Sequence, residues 1–134
     1  MNGVHRATPL WLGLAAAGCV IGPTLAKFEP AHVPTGLAVR LVTNAGTVVG
    51  ELLEVREDAL LVDAADVITL VPYDAIKSAN TSAQARIRFG GGRAPDASER
   101  NRLRLLSRFP QGLSPPLLQR LLENRRQREP KRVG

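Results

Sequence analysis

The sequence predicts a mainly β fold with an α-helical C-terminal third: a small antiparallel β-barrel followed by a helical hairpin. Three observations carry that reading. Residues 37–81 run in short stretches rich in Val, Leu and Ile, punctuated by turn residues. Strands so short and so closely spaced favour a meander that closes on itself, because an open sheet of that size would leave its edges exposed. Residues 96–124 change to helical spacing, with capping residues at two starts. At 134 residues the chain has room for one modest core plus tails.

Residues 1–26 precede this domain. Arg6 lies in a short polar start, and an apolar run over residues 9–21 follows. That length suits a signal peptide, whereas a spanning helix needs about 20 apolar residues. Ala15, Ala16, Ala17 and Gly18 then lead into Cys19, the one cysteine of the chain. No disulfide can form within one chain, and no Cys-based zinc site is available.

This Ala-Ala-Gly-Cys stretch, preceded by Leu14, resembles the lipobox of bacterial lipoproteins, with Ala16 where leucine is more usual. The resemblance implies cleavage before Cys19, lipid attachment to it, and an exported protein anchored on the periplasmic side of the cell envelope. Two other outcomes stay open. Thr24, Leu25 and Ala26 could form a cleavage site that releases the chain, or residues 9–26 could remain as an uncleaved anchor. Residues 27–36 hold two prolines and a glycine and read as a tether.

Within 37–89, the first strand alternates Leu37, Val39, Leu41 and Thr43 with Ala38, Arg40 and Val42, and ends at Asn44, Ala45 and Gly46. The second covers 47–55, where Gly50 signals a bend or bulge. A third covers 59–62, a fourth 67–71 ending at Pro72, and a fifth 76–81. Residues 86–89 form a possible sixth. Leu41, Leu52, Val55, Leu61, Ile68 and Leu70 are the expected core.

Here Gly-Glu-Leu-Leu-Glu-Val-Arg-Glu-Asp-Ala-Leu-Leu-Val (50–62) resembles the strand pair of Sm-like and other SH3-like small barrels. Leu-Val-Pro-Tyr-Asp-Ala-Ile (70–76) resembles their closing strand. The resemblance implies the fold. It does not carry over the family's RNA pocket, because Arg56 and Leu60 stand where the Sm pattern has Asp and Asn, and the Arg-Gly pair is missing near Val71 and Pro72.

Residues 90–95 begin with three glycines and read as a linker, since no phosphate-loop pattern accompanies them. In 96–124, Asp96 with Glu99 forms a capping box, and Leu103, Leu105, Leu106 and Phe109 cover one face of a first helix. Ser114 caps a second helix with Pro115 at its first position and Leu117, Leu118, Leu121 and Leu122 as its stripe. The helices could pair as a hairpin or dock on the barrel.

Residues 125–134 form a basic, solvated tail. Residues 96–134 hold 10 basic and 4 acidic side chains, so the whole net charge of +6 resides there. That asymmetry suggests either an anionic partner, a membrane surface or nucleic acid, or a plain solubilising face; the partner expected is an anionic lipid or an envelope polymer, met by Arg125, Arg126, Arg128, Lys131 and Arg132.

The chemistry of catalysis is missing. His5 and His32 fall in the leader and tether, which removes the base for Ser-His or Cys-His catalysis. Asp63 and Asp66 could approach in one turn, and aspartates there favour local hydrogen bonding. No cofactor, metal or catalytic residue is expected, and nucleic acid is not the expected partner. The reading is a non-enzymatic envelope lipoprotein acting as a structural or interaction module, with an Sm-like nucleic-acid binder as the alternative.

Overall fold

The computed structural model describes residues 36–82 and 85–134. The leader with Cys19, the rival cleavage site, both histidines and the tether up to residue 35 lie outside the described residues.

Among the described residues, seven strands and two α-helices follow in order. They are β1 (Ala38–Thr43), β2 (Gly46–Val55), β3 (Ala59–Ala64), β4 (Val67–Pro72), β5 (Ile76–Thr81), β6 (Arg88–Gly90), α1 (Ala97–Leu106), α2 (Pro115–Asn124) and β7 (Lys131–Arg132). The strands make one mixed sheet in the order β6-β5-β1-β2-β3-β4-β7. All pairings are antiparallel except that of β4 with β7.

This sheet is strongly curved. Flat, β5 and β4 would lie four strand spacings apart, about 19 Å. Yet only a 3-10 turn, Tyr73–Ala75, joins them, and four peptide steps reach at most about 15 Å. The ribbon must bend to bring its ends together, and the register shifts within β2 between Leu52 and Glu54 supply part of that bend.

The expected closed barrel does not form by hydrogen bonding. The outer edge of β5 takes β6 and that of β4 takes β7, so each edge that closure would need is already occupied. The glycine run is part of this cover rather than a linker. Gly90 ends β6, while Gly91 and Gly92 donate to the carbonyls of Lys77 and Ile76. A Cβ on Gly90 would fall 2.3 Å from the Lys77 oxygen, so the close approach requires glycine.

Burial occurs on both faces. Leu41, Leu52, Leu60, Val62, Val71 and Ile76 belong to one cluster, and Leu53, Leu61 and Ile68 to a second. Successive residues of β3 alternate between the two, as strand geometry dictates. The expected core residues are therefore split: Leu41, Leu52 and Val55 serve the first cluster, whereas Leu61, Ile68 and Leu70 serve the second.

The helices dock on opposite faces rather than sharing one apolar seam. Leu103 of α1 enters the first cluster, and Leu118 and Leu122 of α2 the second. Between them the chain crosses at the β2 irregularity, where the Arg108 and Phe109 amides donate to the Leu52 and Leu53 carbonyls. Phe109 thus joins the α2 side, and the broad face expected for α1 shrinks to Leu103, leaving Leu105 61% and Leu106 42% exposed.

Candidate anionic-surface site and adjoining groove

The basic C-terminal segment is not a free tail. At the end of α2, Arg126 adopts φ 56°, and the Gln127 and Arg126 amides donate back to the Leu122 and Glu123 carbonyls. These bonds close the helix as a Schellman motif. Gln127 then reaches β4: its Oε1 accepts from the Ile68 amide at 2.7 Å and its Nε2 donates to the Ile68 carbonyl at 3.1 Å. Farther on, β7 lies parallel to β4, the Val133 amide donates to Leu70, and the Val133 side chain is buried. The physical reason is the edge of β4, whose amides and carbonyls need partners once the strand is buried on both faces.

Arg125 is exposed but engaged by the protein's own carboxylates. Its guanidinium hydrogen-bonds Asp63 and pairs with Asp66 at 3.2 Å. The bond to Asp63 raises the Arg125 pKa further above its usual range, outweighing the opposing effect of desolvation, with Asp66 adding to the rise. Arg125 is therefore an internal tie between α2 and the β3–β4 turn rather than an anion contact. The same tie explains the two aspartates, which face one guanidinium between them. Asp63 Oδ1 remains buried without a partner among the described residues.

Arg126, Arg128, Lys131 and Arg132 are exposed. Among the described residues none of these four forms an ion pair with a carboxylate. All five expected basic residues are therefore exposed on one ordered segment, and among the described residues four of them have no carboxylate partner.

Beside this segment lies an open groove of about 680 Å³, walled by the β1–β2 hairpin on one side and by β7 on the other. The end of β3 and the start of β4 line it between those walls. Its charged lining side chains are Lys131 and Arg132, and no Asp or Glu lines it. No pattern in the sequence announces this groove. Val49 is 53% exposed beside it, although in the sequence it is an ordinary strand valine.

At the two positions that the sequence resemblance set against the Sm pattern, Leu60 is fully buried and Arg56 pairs with Glu54 at 3.5 Å. The Arg56 carbonyl accepts the Tyr73 hydroxyl at 2.7 Å. Tyr73 is buried, and burial pushes its phenol pKa up to about 12, with Asp58 adding to the rise and Arg100 opposing it. Among the described residues no group of three or more His, Cys, Asp or Glu side chains could hold a metal ion.

A scan against protein-family models matches none, and comparisons with curated proteins and with solved structures give no similar protein.

Proposed function

We propose that this chain is a non-enzymatic envelope lipoprotein: a small β-domain tethered through Cys19, with a C-terminal segment that engages an anionic surface. The observation that carries the reading is the fixing of residues 125–134 to β4, which holds Arg126, Arg128, Lys131 and Arg132 exposed on an ordered backbone. An ordered array gives up less conformational entropy on binding than a loose tail. Near a negatively charged leaflet each basic residue contributes up to about 1 kcal/mol, within a Debye length of about 8 to 10 Å. A lipidated Cys19 and this basic array are two complementary attachments, as stable anchoring requires. In the same reading β1 to β5 are an SH3-like curved meander that is not closed by hydrogen bonds, supported by the curvature that the short Tyr73–Ala75 connection imposes.

The test has two arms. Cys19→Ser in the full chain should move the protein from the membrane to the soluble fraction, and the mature wild type should carry the mass of an acylated N-terminal cysteine. Lys131→Glu combined with Arg132→Glu should weaken binding to anionic vesicles about tenfold at low salt while leaving neutral vesicles unaffected. A Cys19→Ser protein that stays in the membrane fraction would refute lipid anchoring.

Nucleic-acid binding is the second reading, and one observation favours it. Arg40, Asn80 and Arg88 are exposed cross-strand neighbours on β1, β5 and β6. Such a row could track phosphates. The stacking platform of single-strand binders is weak here, since Tyr73 is buried and Phe89 half-buried. Retention of uridine-rich RNA at physiological salt, lost on Arg40→Ala with Arg88→Ala, would establish this reading over the first.

A further inference from the structure

We propose that the groove is a strand-addition site, in which the open edge of β2 at Thr47 and Val49 takes an extended acidic peptide whose carboxylates meet Lys131 and Arg132. The register fixes which backbone groups are available. Thr43 and Gly46 close a two-residue hairpin, so they exchange hydrogen bonds, and the same applies to every second pair, Leu41 with Val48 and Val39 with Gly50. Two further bonds agree with this phase: the Leu52 amide donates to Leu37 beyond the start of β1, and the Ser82 amide donates to Ala38 on the other side of β1.

It follows that the N–H and C=O groups of Thr47 and Val49 point away from β1. Pairing with β3 begins only at Glu51 and Asp63, because β3 turns away after Ala64. Among the described residues no hydrogen bond reaches the Thr47 or Val49 backbone on that open side. An exposed edge with free donors and acceptors is a template for another strand.

The side chains select the occupant. Thr47 is exposed and Val49 is 53% exposed, so a peptide here gains apolar contact as well as backbone bonds. Across the groove Lys131 and Arg132 supply two positive charges, and no Asp or Glu side chain is in the lining to neutralise them. Alternating strand geometry places every second peptide side chain on one face, so a peptide with acids at alternate positions can direct them all to the basic wall. This inference does not depend on membrane attachment.

The test uses the full chain in a neutral detergent micelle, titrated with a blocked octapeptide alternating glutamate and valine. Binding should slow hydrogen exchange at the Thr47 and Val49 amides. Val49→Pro removes a donor that faces the groove and leaves the β1 ladder its bonds, and it should weaken binding about tenfold, as should Lys131→Glu. Because proline could disturb β2, the wild type is also titrated with the same peptide N-methylated at every residue. That peptide keeps its charge, loses its backbone donors, and should bind at least about tenfold more weakly.

Equal affinity for the N-methylated peptide would overturn strand addition, and equal affinity for a lysine-valine octapeptide would overturn the acidic preference. Protection of the Thr47 and Val49 amides without peptide would also overturn the proposal. Dependence of that protection on protein concentration would assign the edge to a second copy, and independence to residues 1–35 of the same chain.

Discussion

Gln127 supplies from a side chain what a neighbouring strand would supply from its backbone, one acceptor and one donor matched to the Ile68 amide and carbonyl. Removing it leaves both groups of Ile68 without that partner at an edge, and unsatisfied groups of this kind cost about 1 to 3 kcal/mol. Gln127→Ala should therefore lower the unfolding free energy by about that amount in a urea titration, while Arg128→Ala stays within about 0.5 kcal/mol. Tyr73 gives a second expectation, because it is the one tyrosine of the chain and its phenolate absorbance is an unambiguous signal. Its folded pKa of about 12 exceeds the ordinary value of 10.0, so the native state holds the proton more tightly than the unfolded chain. The stabilisation is complete below pH 10 and is lost as pH rises toward 12, on the order of 2 kcal/mol. Absorbance titration should show ionisation only above pH 11, and Tyr73→Phe should remove this alkaline slope.

At the scale of single elements, β2 shows how a correct signal can carry a different cause. The sequence marks Gly50 as a bend, yet the register shift lies farther along, between Leu52 and Glu54. Gly50 is needed because a Cβ there would fall 2.1 Å from the Asp63 carbonyl oxygen, a backbone atom that cannot move aside cheaply. Gly50→Ala should cost about 1 to 3 kcal/mol by calorimetry, as overpacking does, and separate β3 from β2 near Asp63. The helix starts were legible to the residue: Asp96 and Glu99 exchange the two capping-box bonds, and Ser114 accepts from Leu117 ahead of Pro115. The face of α1 was not legible. Leu105 and Leu106 have the same hydropathy as Leu103, but the helix meets the sheet along one narrow line.

For the whole molecule, the structural role of the C-terminal segment can be separated from the binding role proposed for it. Deleting residues 125–134 removes the Arg125 tie, the Gln127 clamp, β7 and the buried Val133 together. The melting temperature of that truncated chain should fall by more than about 8 °C, the shift that 1 to 2 kcal/mol produces in a domain of this size. Lys131→Glu with Arg132→Glu should leave the melting temperature within about 3 °C while weakening attachment to anionic vesicles. Both exposed side chains lack an ion pair among the described residues, so reversing them disturbs no tie.

The sequence by itself determined the strands β1 to β5, both helix starts, the confinement of positive charge to the last third and the shortage of catalytic reagents. Those features rest on signals local to a few residues: alternation, a turn, a cap three positions away. The tertiary structure decided that the sheet stays open, that its two faces are both buried, and that the basic segment is part of the sheet. Gln127 and Ile68 are 59 positions apart in the chain. No local pattern announces their meeting, because it arises from the unpaired edge that β4 acquires only when the meander has folded, and from the curvature that brings the last residues within reach of it.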